Sequence, residues 1–149
     1  MEVKNFDFDL GYQKAKERAE KMVSNGLYSR FNLNYDKRLE KALLGCLGEI
    51  AFEHFLKENN VSYKLDETDF LTKNSDEFDF YCNNKKIDIK VAKKTTKSNP
   101  SDSWTYGYPN DQNPISKDVV VVEWVDFQKK VVAFYGWIRG GKISKYPVV

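Results

Sequence analysis

Cysteine and histidine are scarce in this chain: Cys46, Cys82 and His54 are all it has. Two thiols so far apart, with one imidazole, exclude a disulfide scaffold and a Cys/His zinc site. Both cysteines sit in apolar stretches and are expected to be core residues of a reduced, intracellular protein. Long apolar runs are missing too, since no window approaches the roughly 18 consecutive apolar residues of a membrane span. The start, MEVKNFDFDL, is acidic rather than a basic region followed by an apolar run, so neither secretion nor membrane insertion is expected and a cytoplasmic location is. Neither sign of charge dominates. Against 24 Lys plus Arg stand 22 Asp plus Glu, a formal charge of +2 that neither demands nor excludes a polyanionic partner. With 8 glycines and 4 prolines in 149 residues, there is no repeat, linker or low-complexity tract.

What is present is enough for one core. A 41% hydrophobic and 15% aromatic composition supports a packed globule, and 31% charged residues give it a wet exterior. One domain over residues 1–149 is expected, with its core about 36–139. Gly11 to Val23 is rich in helix formers and ends at the Asn25-Gly26 break, which predicts a first helix. From Asp36, DKRLEKALLGCLGEIAFEHFLKENN repeats apolar residues with a period near 3.6 and predicts a second. Gly45 and Gly48 inside it cost about 1 kcal/mol each in helix propensity, which is consistent with another element packing closely there.

After Asn59-Asn60 the pattern becomes short β-type runs, VSYKL, EFDFYC and KIDIKVA. Asn83-Asn84 fits a tight hairpin turn between the last two, because Asn tolerates positive φ. Residues 95–114 carry Ser, Asn, Pro and Gly with interleaved aromatics and are expected to form a long loop of functional or mobile character. DVVVVEWVDF and KKVVAFYGWI add two strands joined near Gln128-Lys129. The continuous β-branched run Val119 to Val122 suits a central strand covered on both faces. The element order predicts an α/β fold, a mixed central β-sheet flanked by helices.

Chemistry concentrates on the hairpin. Asp79 stands between Phe78 and Phe80 on one strand, and Asp88 and Lys90 share the next. Strand residues two apart point to one face, so Asp88 and Lys90 project together while Ile87, Ile89 and Val91 pack on the other side. A turn at Asn83-Asn84 brings Asp79 close to Asp88. Neighbouring carboxylates raise each other's pKa and a buried lysine tends to lose its proton, so the group is costly unless a divalent cation compensates. Mg²⁺ or Mn²⁺ suits the Asp79 and Asp88 carboxylates with the Ile89 carbonyl, and Lys90 is then placed to orient or deprotonate a water. The plain alternative is a solvent-facing Asp88–Lys90 ion pair on an edge strand, worth about 0–1 kcal/mol, with Asp79 incidental.

These residues, GCLGEIAFEHFL with Glu49 and DEFDFYCNNKKIDIKVAKK with Asp79, Asp88 and Lys90, resemble the PD-(D/E)XK nuclease superfamily, which includes restriction endonuclease-like and Holliday junction resolvase-like enzymes. Residues 40 to 95 resemble it closely and the last strands more loosely. Phe78 stands where the family name has proline. The resemblance implies a restriction endonuclease-like core and a metal-dependent endonuclease acting on DNA. It implies that Asp79 and Asp88 bind the metal, that Glu49 supports it directly or through water, and that Lys90 serves the attacking water. A homodimer is a further implication, needed to cut both strands. Two other roles keep the same fold: a non-catalytic nucleic-acid-binding or assembly protein, and a subunit of a larger DNA-processing complex.

Around the site, Lys93, Lys94 and Lys97 are candidate phosphate contacts. Trp104, Tyr106 and Tyr108 alternate through the loop and either stack on unpaired bases or anchor the loop to the core or a partner. Glu53 and His54 are read as helix-surface residues, Lys117 and Asp118 as a strand-start turn. Trp137 and Arg139 close the last strand, with phosphate contact by Arg139 possible but not required.

Overall fold

In a computed structural model of the chain, residues 1–26, 34–66, 79–95, 97, 116–143 and 145 are described, Asp66 and Asp79 in their backbone alone. The elements run α1 (Phe8–Ser24), α2 (Tyr35–Glu58), β1 (Lys64–Asp66), β2 (Asp79–Cys82), β3 (Lys85–Lys93), β4 (Val119–Asp126), β5 (Val131–Arg139) and a short α3 (Gly140–Ile143). The sheet has the order β1-β2-β3-β4-β5. Its β3–β4 pair is parallel and the other three pairs are antiparallel. This is the mixed-sheet α/β arrangement expected. No helix among the described residues is long and apolar enough to cross a membrane.

Local chemistry explains the boundaries. Helix α1 begins three residues before the expected Gly11, because the Asp7 carboxylate accepts a hydrogen bond from Leu10 N–H at 3.1 Å and caps the helix. Asn34 caps α2 in the same way through Lys37 N–H at 2.9 Å. The β2–β3 turn has Asn83 at φ 50° and Asn84 at φ 62°, the paired left-handed conformation of a tight hairpin. At the β4–β5 turn, Asp126 accepts from both Gln128 N–H and Lys129 N–H at 3.0 Å. The first strand is shorter and later than VSYKL suggests, beginning at Lys64. Its aromatic Tyr63 packs on Phe80 from outside the ladder.

Both long helices lie against one face of the sheet. Ala15, Ala19, Met22 and Val23 of α1 meet Ala42, Cys46, Leu47 and Ala51 of α2 above Val125 and Val132. Farther along, Phe52 and Leu56 close over Phe80, Cys82 and Ile89. Phe52 meets Phe80 edge-on with ring centroids 5.0 Å apart. The tightest approach is at Gly48, where a β-carbon would fall 2.1 Å from Val91 Cγ2. The glycine in the helix is therefore explained by the strand beneath it.

Gly48→Ala should gain about 1 kcal/mol of helix propensity and lose more to overpacking, typically 1–3 kcal/mol. Urea denaturation should show net destabilisation, and Val91→Ala added to Gly48→Ala should cost less than the two separate changes summed. Additive costs would mean that the contact does not limit α2.

Candidate functional site

Strand β3 runs through the centre of the sheet, and its alternation divides the chemistry between two faces. Ile87, Ile89 and Val91 pack into the helix-covered core, so Asp88 and Lys90 project from the opposite face. There Lys90 Nζ lies 3.5 Å from Asp88 Oδ2. The Asp88 side chain is 0% exposed and that of Lys90 17%. This is neither an edge strand nor a solvent-facing pair. At such depth the desolvation cost is on the order of several kcal/mol per ion, and the contact between the two offsets part of it.

Asp79 opens β2. The register Phe80↔Ile87, continued by one residue, sets its backbone level with Asp88, and Asp66 of β1 pairs with Asp79 on its other side. The hairpin thus delivers three aspartate positions across adjacent strands. Their carboxylate oxygens are the donor type that Mg²⁺ and Mn²⁺ prefer. Among the described residues no group of three Asp, Glu, His or Cys side chains is spaced to hold a metal ion, and Asp79 is described in its backbone alone.

Glu49 belongs to a different neighbourhood. It follows Gly48 on α2, on the helix-covered face, and its Oε2 lies 3.6 Å from Arg18 Nη1 of α1. Beneath it is Glu123 of β4, which pairs with Val91 on one side and Phe134 on the other. Glu123 is fully buried, and neither of its carboxylate oxygens has a hydrogen-bond partner. Burial, reinforced by the negative charge of Glu49, pushes its carboxyl well above the usual range. Burial thus favours the protonated form of Glu123. The structure brings Asp88 and Lys90 together and sets Glu49 apart with Arg18 and Glu123.

Sequence reading missed Glu123 and Arg18. The signal for Glu123 was present, since it is the single acid inside VVVVEWV, a run that otherwise reads as a covered central strand. Arg18 carried none, being one of many cations on an amphipathic helix.

The flanking lysines divide as well. Lys93 Nζ reaches Glu40 of α2 at 3.4 Å and lies 5.7 Å from the Phe127 ring centroid, beside a cleft of about 290 Å³ between Tyr12, Leu43, Leu44 and Phe127. Lys94 is buried, with Nζ 3.5 Å from Asp126 Oδ2 and 5.4 Å from the Trp124 ring centroid. It is committed to structure rather than presented to a polyanion. The backbone N–H of Lys129, followed by the charge of Lys94, holds Asp126 below the ordinary carboxylate range. Lys97 is exposed, while Trp104, Tyr106 and Tyr108 lie outside the described residues. His54 Nε2 donates to Lys4 O, 2.9 Å away, and the ring packs on Phe6, a surface role as expected.

Because the Glu123 carboxyl is raised in the folded state, the folded protein binds more protons than the unfolded chain. This group's contribution to stability is then fully present below the ordinary carboxylate pKa and is lost as pH rises through the folded value. Denaturation midpoints of wild type and Glu123→Gln, compared from about pH 4 to about pH 8, should diverge with rising pH in favour of Gln. Parallel curves would show that Glu123 ionises without penalty.

Neither protein-family models, nor curated proteins, nor solved structures match this chain, so the chemistry of the site is read from Asp79, Asp88, Lys90, Glu49 and Glu123 themselves.

Proposed function

We propose that the protein is a metal-dependent nuclease that hydrolyses DNA phosphodiester bonds at the β2–β3 hairpin. The observation that carries this reading is the Asp88–Lys90 pair, a wholly buried carboxylate 3.5 Å from an ammonium, with Asp79 opening the strand alongside. Burying such a pair is commonly neutral or unfavourable relative to apolar residues of the same size. Its presence on one face of a central strand therefore points to chemistry more than to stability. The likeness of GCLGEIAFEHFL and DEFDFYCNNKKIDIKVAKK to the PD-(D/E)XK nucleases supports the same reading and extends it to a restriction endonuclease-like core.

Asp79 and Asp88, with the Ile89 carbonyl, are the residues that would hold Mg²⁺ or Mn²⁺. When bound, such an ion supplies positive charge to the scissile phosphate and acidifies water. Asp88 fixes the position of Lys90 through the 3.5 Å contact. Lys90 Nζ orients the attacking water by a hydrogen bond, and the proton that the water loses passes to bulk solvent. Glu49, facing Arg18 on the other side of the sheet, is assigned no metal bond; its contact ties α2 to α1. Lys97 is the exposed cation best placed in the sequence to meet the DNA backbone.

Linear, supercoiled, branched and single-stranded DNA incubated with Mg²⁺ or Mn²⁺ should be cleaved by the wild type. Asp88→Asn and Lys90→Ala should each reduce the rate by about 10²-fold or more, with circular dichroism reporting whether each variant remains folded. A folded wild type that binds DNA in a salt-sensitive way but cuts none of these substrates would replace the nuclease with a binding or assembly protein. Cutting that appears only with an added partner would make the chain a subunit of a larger complex.

A further inference from the structure

The two ends of the sheet hold their cations differently. At the end where β3 and β4 finish, lysines are committed to acids: Lys93 and Lys37 to Glu40, Lys94 to Asp126 and Lys130 to Asp9. The opposite end collects the Asn83-Asn84 turn, the start of β4, the end of β5 and α3, because β3 and β4 run parallel away from it and β5 runs antiparallel back to it. There Lys85, Arg139, Lys142 and Lys145 are exposed, and none of the four is in an ion pair among the described residues. Lys86 and Lys117 add positive charge from half-buried and buried positions.

Acids do little to offset this. Asp118, the one acid in residues 83–86, 117–118, 139–143 and 145, accepts Lys86 N–H at 2.8 Å. Glu53 and Glu58, where α2 ends over the same part of the sheet, are engaged with Lys57 and with Asn5. Six cations against one acid leave a surplus of five, larger than the +2 of the whole chain, so the remainder of the chain is net negative. Charge segregated in this way makes a directed field at one end of the molecule.

Position ties that field to the hairpin. Ile87, Val119 and Arg139 are in register across β3, β4 and β5, and the next row is Asp88, Val120 and Ile138. The basic rim thus begins one residue, about 3.3 Å along the strand, from the row that holds Asp88. Lys85 and Arg139 stand on strands two apart, about 10 Å at the usual strand spacing. One phosphate group does not bridge that separation, whereas a chain of phosphates does. We propose that the phosphate backbone of duplex DNA lies along this end of the sheet, held by Lys85, Arg139, Lys142 and Lys145. The choice of DNA among polyanions rests on the nuclease reading; the rim itself rests on charge and topology. These four are positioning residues, which fix the duplex beside the hairpin without reading its sequence. The backbone contact moves from Lys93, Lys94 and Lys97, at the far end of β3, to the end where the strand begins.

Anisotropy of a labelled DNA duplex, with the full chain and a chelator in place of metal, reads binding without cleavage. Over a series of salt concentrations, four phosphate contacts should give a log–log slope of about −3 to −4. Arg139→Ala and Lys142→Ala should each make the slope shallower by about 1, and combined with Lys85→Ala they should raise Kd by about tenfold or more. Lys37→Ala and Lys130→Asn, at the paired end, should bind as the wild type does, and melting curves should show every variant folded. Binding lost with the rim, by a wild type that cuts nothing when metal is restored, upholds the rim and removes only the nuclease reading. Binding and cleavage at full strength by the folded triple variant overturn the rim and leave the nuclease standing. The rim is also overturned by binding that falls with Lys97→Ala but not with the triple variant, or by a wild type that binds anionic phospholipid vesicles and no DNA.

Discussion

The approach of α2 to β3 at Gly48 and Val91 sets the depth of the whole helix layer. With no side chain at Gly48, the helix drops onto the strand, and its next turns carry Phe52 and Leu56 down to Phe80 and Ile89. The same descent places Glu49 over β4 and completes the burial of Glu123. Helix α1 rests on α2 through small residues, Ala15 and Ala19 against Ala42 and Ala51. A bulkier contact at Gly48 would lift both helices together.

Two carboxylate neighbourhoods result, on opposite faces of one strand pair, and they solve the cost of burial in different ways. Asp88 holds Lys90 beside it at 3.5 Å. Glu123 has no such cation in contact among the described residues, and burial under the field of Glu49 pushes its carboxyl up, while Glu49 in turn leans on Arg18. The separation matters chemically, since the burial that raises the Glu123 carboxyl disfavours the ionised form a cation needs.

Much of this was legible in the chain. The 3.6-residue period of α2, the Asn83-Asn84 turn and the D-I-K alternation depend on neighbours within a few residues, and local physics fixes them. The glycine at position 48 announced a close neighbour, though only the fold shows it to be Val91. What could not be read is what depends on pairing between distant strands. The parallel β3–β4 register brings Val91 beside Glu123 and so decides that Glu49 meets Glu123 rather than Asp88. Lys94 was read as a phosphate contact because its burial depends on Trp124 and Asp126, which lie some thirty residues on.

The chain leaves the sheet after β3 and returns at β4, and both points are fastened. At the exit Lys94 N–H donates to Val125 O at 2.8 Å. At the return Asp118 N–H donates to Lys86 O at 2.9 Å, and Lys86 N–H donates to the Asp118 carboxylate at 2.8 Å. Because the ladder is locked from both ends, its register is independent of how many residues connect them, and loop closure grows only slowly more costly with length. The connection is therefore a natural splice point, a place where lineages can exchange, lengthen or shorten a segment while the strands beneath it keep their alignment.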